Sequence, residues 1–291
     1  MKIETLTNLI GGELLNSPYI SEVTSFSDDI LNVQRGCCFF AKKSEDIRQA
    51  IDKGAYAIIS EKYENIIDKE IAWIKVESIQ KAVVDIFKYE NLKTKIYFCD
   101  EITAHIIDKS SLNKEVIILK TYEDLLKSLN FEYKFLITSN KDYCLLCPKV
   151  QTLDSKNIDL KKLSLFKSEY LNEEINLPFV YKEEFAKAIK FFEDNDLKYS
   201  LDFMLDRFKP VFVDALFREV GYGESSKVLI TGIKNDEYFF NELNYLIENT
   251  KHAKTIIVNE YNKELLKNDF HFAMLVDFEI ETKNLQNRSL F

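Results

Sequence analysis

The 291-residue sequence predicts an α/β protein built of several small β-α-β domains, and three observations carry that expectation. Short apolar runs such as Cys37-Cys38-Phe39-Phe40-Ala41 and Tyr56-Ala57-Ile58-Ile59 alternate with stretches whose apolar residues recur at three and four, the pattern of strands separated by helices. Glycines stand at the joins, Gly36 before the first run and Gly54 before the second. A content of 46% hydrophobic and 13% aromatic residues is enough for a core without staples, and at roughly 100–200 residues per domain the length allows two or three domains.

In order along the chain, Ile3, Leu6, Leu9 and Ile10 have helical spacing and stop at Gly11-Gly12, so a short helix and a turn come first. Ile20 to Phe26 reads as a strand, and Ser27 to Ser60 as a β-α-β unit. Ile74-Lys75-Val76 is a third strand, while Ile79, Val83, Ile86 and Phe87 mark one face of a helix that ends near a boundary at Asn91-Leu92-Lys93. The middle alternates again: strand Ile96 to Cys99, a helix carrying His105, strand Val116 to Leu119, helix Tyr122 to Leu129, strand Phe135 to Ile137 and strand Tyr143 to Cys147. This order suits a parallel or mixed sheet. Residues 151–178 are polar and Lys-rich and show no clear period. Phe185, Ala188, Ile189 and Phe192 define a helix from Lys182 to Asn195-Asp196, and an amphipathic segment from Leu201 to Phe208 stops at Pro210. The last part reads as strand Lys227 to Ile230, Gly232, a cap at Asp236, a helix to about Asn249 and strand Thr255 to Val258. Domains are expected over residues 1–90, 91–200 and 201–291.

Charge and side-chain inventory exclude several functions. The formal charge is 39 − 48 = −9, with both signs mixed along the chain, so nucleic acid is not an expected partner. No apolar run reaches the ~18–20 residues of a membrane span, and the opening Met1-Lys2-Ile3-Glu4-Thr5 lacks a signal peptide's apolar core, which gives a cytoplasmic expectation. Five cysteines, an odd number, read as reduced thiols. Cys144-Leu-Leu-Cys147 has redox or zinc half-site spacing, but no second pair accompanies it and Pro148 follows where a helix should open; it reads as strand packing. His105, His252 and His271 lie far apart, so no metal or other cofactor is expected. Gly221-Tyr222-Gly223-Glu224-Ser225-Ser226-Lys227 precedes a strand instead of following one and reads as a turn; with Arg207, Lys209 and Arg218 nearby it is the most anion-friendly stretch outside the first ninety residues.

The stretch from Ser27 to Ser60 resembles the N-terminal, nucleotide-sugar-binding domain of the Mur ligases of the MurE/MurF type, the peptidoglycan-building amide ligases. Their usual form is Asp-Ser-Arg, a few residues, Gly-Asp-Leu-Phe-Val-Ala, a Gly-rich link, then a helix and Gly-Ala. Asp29 falls on the family's Asp, Gly36 on its Gly, Phe39 on its Phe, Ala41 on its Ala, and Gly54-Ala55 on the closing pair. The resemblance covers residues 1–90, and beyond them it is one of element order, ending in a Rossmann-like C-terminal segment.

The departures from the family pattern carry the functional expectation. Ile30 and Leu31 stand where the resemblance implies a Ser and an Arg for the UDP portion, and the link after Ala41 is only Lys42-Lys43-Ser44. Losing an Arg–phosphate bond removes about 1.5–3 kcal/mol. Binding of a UDP-sugar then falls to Ser27, Asp29, Arg35, Gly36, Phe39, Lys42 and Lys43. Where a working ligase has Gly-x-x-Gly-Lys-Thr to cradle ATP, this chain has Asp100-Glu101-Ile102-Thr103-Ala104; no Gly-Lys dipeptide occurs anywhere, and no glycine lies between Gly54 and Gly221. The expectation is a degenerate, non-catalytic Mur-ligase-like protein linked to peptidoglycan precursor synthesis, with a UDP-linked muramyl precursor or a Mur ligase as partner. The alternatives are an enzyme of different chemistry acting on a phosphorylated or nucleotide-linked small molecule, with its site near 100–105 or 218–227, and a homo-oligomeric structural protein.

Overall fold

The computed structural model describes residues 1–92, 94–146 and 149–280. Contacts divide the chain into two compact units, Met1–Ala104 with Asn113–Leu153, and His105–Leu112 with the residues from Asp154 on.

The first unit contains two sheets. Helix α1 (Ile3–Leu9), β1 (Glu13–Leu14), β2 (Ser25–Ser27), β3 (Cys37–Phe40), α2 (Ile47–Asp52), β4 (Ala57–Ser60), β5 (Ala72–Lys75) and α3 (Ile79–Glu90) form the first layer set. Its strand order is β1-β5-β4-β3-β2, with β2 to β5 parallel and β1 antiparallel on the edge. Alternation explains the continuous apolar runs. Cys38, Phe40, Ala57, Ile59, Ala72 and Ile74 point to the face covered by α1 and α3, while Cys37, Phe39, Ile58 and Trp73 point to the face covered by Ile47 and Ala50 of α2. Both faces are buried, so β3 is apolar throughout, and β4 and β5 are apolar up to their last residues, Ser60 and Lys75. Gly36 sits at φ +92°, and a Cβ there would lie 2.4 Å from Thr24 Oγ1, which is why a glycine must precede β3.

The second sheet of this unit is built from β6 (Lys95–Phe98), α4 (Glu101–Ser110, whose residues divide between the units), β7 (Val116–Ile118), α5 (Tyr122–Ser128), β8 (Phe135–Thr138), α6 (Lys141–Cys144) and β9 (Val150–Thr152). It forms a sheet of its own, fully parallel, in the order β7-β8-β6-β9. Leu119, Leu125, Leu126 and Leu136 join the core beneath the first sheet. The expected strand from Tyr143 to Cys147 is corrected: Lys141–Cys144 is helical, because the Asn140 side chain accepts the Asp142 N–H and caps a turn there. Cys144 donates its thiol to the Asn140 carbonyl at 3.6 Å; Cys147 and Pro148 lie outside the described residues.

In the second unit, the Lys-rich stretch without a clear period becomes a small antiparallel sheet, β10 (Lys161–Lys162), β11 (Ser168–Tyr170) and β12 (Glu173–Ile175). Helix α7 (Lys182–Asp194) follows with the expected apolar face, Phe185, Ala188, Ile189 and Phe192 all buried. Residues 201–208 are corrected from an amphipathic segment to irregular backbone, and Pro210 lies inside strand β13 (Lys209–Val213). That strand is an edge, where a residue without an N–H is tolerated. Then come β14 (Lys227–Ile233), α8 (Phe239–Asn249), β15 (Thr255–Val258) and β16 (Phe272–Val276), in the order β13-β14-β16-β15. The last three strands are mutually parallel and β13 is antiparallel, a Rossmann-like arrangement.

Candidate functional site

In open α/β sheets, ligands sit outside the carboxyl ends of the strands. The first unit has a cleft of about 600 Å³ there, between the ends of β3 and β4 and the start of α3, lined by Lys42, Lys43, Ser44, Glu61, Lys62 and Ser78 among others. Of the seven candidate residues, only Lys42 and Lys43 line it.

The other five have local roles. Ser27 is buried; its hydroxyl donates to the Asp29 carbonyl at 2.9 Å and accepts the Asp29 N–H at 3.1 Å. The Asp29 carboxylate accepts the Leu31 N–H at 2.9 Å and the Asn32 side-chain amide at 3.0 Å, which closes the turn before β3. Arg35 Nε donates to the Tyr56 hydroxyl at 2.9 Å. Gly36 donates its N–H to the Gly54 carbonyl at 3.0 Å, and Phe39 is fully buried.

Lys42 is held within the unit, with Nζ 2.5 Å from Asp28 Oδ2 and 5.1 Å from the centroid of the Tyr122 ring. Burial, and after it the Asp28 charge, pushes the Tyr122 hydroxyl above its ordinary range. Two of the cleft's three carboxylates are also engaged. Glu61 Oε1 accepts the Ile79 N–H at 2.8 Å, and Glu64 accepts the Ser44 hydroxyl at 2.7 Å. Ser78 caps α3 by accepting the Lys81 N–H. The cleft is therefore polar and of mixed charge. Glu61, eighteen residues before the N–H it binds, gives no local signal in the sequence.

A second position of interest is the start of α4, directly after β6. Asp100 Oδ1 accepts the Thr103 N–H at 2.7 Å and Oδ2 accepts the Thr103 hydroxyl at 2.8 Å, while the Asp100 carbonyl receives the Ala104 N–H at 3.0 Å. The positive end of the helix thus carries a carboxylate of the chain itself. Glu61 does the same at the start of α3, so the helices that follow β5 and β6 both begin on an internal anion.

In the second unit, the cations near the turn at 218–227 are spent internally. Arg207 is buried, with Nε 2.5 Å from Glu242 Oε1, and its two terminal nitrogens lie 2.6 and 2.7 Å from the Asp236 carboxylate. Glu242 is fully buried and also accepts the Tyr181 hydroxyl. Asp236 accepts the Tyr238 N–H instead of capping α8 directly, and the helix begins only at Phe239. Arg218 pairs with Asp214, and Gly221 donates its N–H to Glu224. The stretch is a hairpin turn, as read from the sequence, and two of the three cations that made it anion-friendly, Arg207 and Arg218, are engaged by carboxylates of the chain itself. His105 Nε2 lies 3.4 Å from Asp206 Oδ2, which Lys109 also binds at 3.1 Å. Among the described residues no group of three or more His, Cys, Asp or Glu side chains is arranged to hold a metal ion, and no helix is long and apolar enough to cross a membrane.

Successive mainly parallel sheets alternating with helices define an α/β protein. More particularly, the chain has the fold of the Mur ligases. It is similar to the MurF ligase from Thermotoga maritima solved in complex with ADP (TM-score 0.53, 12% identity, covering 87% of this chain and 93% of that one). It is similar also to UDP-N-acetylmuramoylalanyl-D-glutamyl-2,6-diaminopimelate–D-alanyl-D-alanyl ligase from Acinetobacter baumannii (TM-score 0.55, 8% identity, 94% of each chain). A MurF structure from the same organism matches with a TM-score of 0.54 at 10% identity, over 89% of this chain and 78% of that one. No family model matches the sequence, and no curated protein matches it.

Proposed function

We propose that this chain is a non-catalytic protein of the Mur ligase fold that serves peptidoglycan precursor synthesis in the cytoplasm, binding a UDP-linked muramyl precursor or a Mur ligase instead of forming an amide bond at the expense of ATP. The observation that carries this reading is Asp100. In the resemblance, the turn between this strand and this helix is a phosphate cradle of glycines with a lysine, and one of the fold's relatives was solved with ADP. Here the same turn holds a carboxylate that accepts the N–H and the hydroxyl of Thr103 in the first turn of α4. A triphosphate brought to this turn would meet like charge, and the Asp100–Thr103 bonds would have to break first.

The cleft at the ends of β3 and β4 is the place for the precursor. Lys43 and Lys62 line it and are exposed, and Ser44 and Gln80 supply hydroxyl and amide groups of the kind that bind sugars. The Asp28–Lys42 pair limits how much of a diphosphate's charge the cleft can neutralise, so the reading is one of modest affinity.

Calorimetric titration of the full chain with Mg-ATP, with ADP and with a UDP-linked muramyl precursor, together with capture of purified Mur ligases, tests this function. The expected result is no heat with either adenine nucleotide and saturable binding of the precursor or of a ligase. Tight ATP binding would overturn the non-catalytic reading; silence toward both precursor and ligases would overturn the cell-wall role.

A further inference from the structure

The first unit has a second cleft, of about 790 Å³, where the amino ends of β6 and β8 meet the carboxyl ends of α3 and α5. No part of the proposed function uses it. Its aromatic residues are Phe131, Tyr133 and Phe135, and its acids are Glu90, Glu115 and Glu132. Phe131 and Tyr133 form a ring pair with centroids 4.9 Å apart, and Phe131 remains 49% exposed.

The cleft already holds two ammonium groups of the chain itself, each on a different kind of partner. Lys95 Nζ lies over the Phe135 ring, 5.8 Å from its centroid, and Lys134 Nζ binds Glu115 Oε1 at 2.7 Å. The Phe131–Tyr133 pair offers the same ring chemistry, and Glu132 the same carboxylate chemistry, with no ammonium on either among the described residues. Helix α3, twelve residues long, points its negative end and Glu90 to the same cleft. Ring face, carboxylate and helix end all favour a cation and all disfavour an anion.

We propose that this cleft is a binding site for a small organic ammonium compound, an alkyl amine seated on the Phe131–Tyr133 rings with its charge shared by Glu132 and Glu90. An amine that also carries a carboxylate should bind less well, because both acids would repel it. This proposal is independent of the cell-wall reading, since it uses a different cleft, at the opposite end of α3.

The test uses the full chain and 1,5-diaminopentane as probe, followed by NMR or calorimetry at low salt, with 1,5-pentanediol and lysine as arms of the same length. Saturable binding of the diamine, weaker binding of lysine and none of the diol are expected. Phe131→Ala and Glu132→Gln should each weaken the diamine roughly tenfold, and Phe131→Leu, which keeps the apolar contact but loses the ring, should resemble the alanine variant. Both positions are at the surface, so unchanged thermal unfolding will separate lost binding from lost folding. Absence of diamine binding, or equal binding to the wild-type chain and to Phe131→Leu, would overturn the proposal.

Discussion

Asn130 satisfies both backbone groups of Phe26: its side-chain amide nitrogen donates to the Phe26 carbonyl at 2.8 Å, and its side-chain oxygen accepts the Phe26 N–H at 2.7 Å. Phe26 belongs to β2, the edge strand of the first sheet, so a side chain 104 residues away takes the place of the next strand. This closes the edge to foreign strands and fastens the loop after α5 to the first sheet.

Asn130→Ala should cost about 1–3 kcal/mol, because it orphans a donor and an acceptor next to a buried ring. Asn130→Asp keeps the acceptor and loses the donor, placing a negative charge against a carbonyl, and should not restore stability. Urea unfolding of the three proteins checks this. Equal midpoints would show that the edge needs no closure.

Asp100 gives the next expectation. As the cap of α4 it should be worth about 0.5–2 kcal/mol, lost in Asp100→Ala and largely kept in Asp100→Ser, which retains an oxygen for the Thr103 N–H. Neither variant should gain ATP binding, since the turn supplies neither lysine nor glycine. Thermal unfolding with and without Mg-ATP reads both halves; a nucleotide-induced upward shift in Asp100→Ser would mean that the carboxylate alone had excluded phosphate.

The buried ion cluster of the second unit makes a prediction in two variables. Arg207→Met leaves Glu242 buried without its cation and should cost about 3–5 kcal/mol, while Arg207→Met with Glu242→Leu should recover much of that loss. The pH dependence follows from Asp236. Burial works against its ionisation, but hydrogen bonds from Arg207 and the Tyr238 N–H, with the Arg207 charge, outweigh it and hold the carboxyl below its ordinary range. A depressed folded-state pKa stabilises above the unfolded value near 4, and this contribution disappears as pH falls through the folded value. Urea midpoints between pH 6 and pH 3 should therefore fall less steeply for Asp236→Asn than for the wild-type chain, from a lower starting stability.

How much of this was legible in the sequence depends on how local the cause is. β3 and β4 could be read because two buried faces produce unbroken apolar runs, and α3 and α7 because their apolar residues keep helical spacing. The carboxylates at 100–101 were visible as a departure from a phosphate loop, though their role as a cap lies in the Asp100–Thr103 geometry. Tyr143 to Cys144 misled because their apolar side chains outweighed the short cap signal of Asn140. Glu61, Asp28 and Asn130 gave no signal, since each acts on a group distant in the chain or supplied by another element. Arg207 looked like a free cation for the same reason: Asp236 and Glu242 lie 29 and 35 residues away.

Two glycines separate conformational from steric cost. Gly36 and Gly232 both have positive φ, +92° and +74°, so an alanine at either is strained by about 1 kcal/mol or more before any contact is considered. At Gly36 the new Cβ would meet the Thr24 side chain, which can rotate away. At Gly232 it would lie 1.8 Å from the Asp206 carbonyl oxygen and 2.9 Å from the Arg207 Cα, both main chain, in the segment that presents Arg207 to Glu242. Phe208 beside it is already at φ +53°, leaving that backbone little room to retreat. Gly232→Ala should therefore be the more damaging of the two, and Thr24→Ala should rescue part of the loss in Gly36→Ala. Unfolding midpoints of the three variants decide the matter: a Gly232→Ala protein as stable as Gly36→Ala would mean that the 206–208 segment moves freely, and with it the Arg207 cluster.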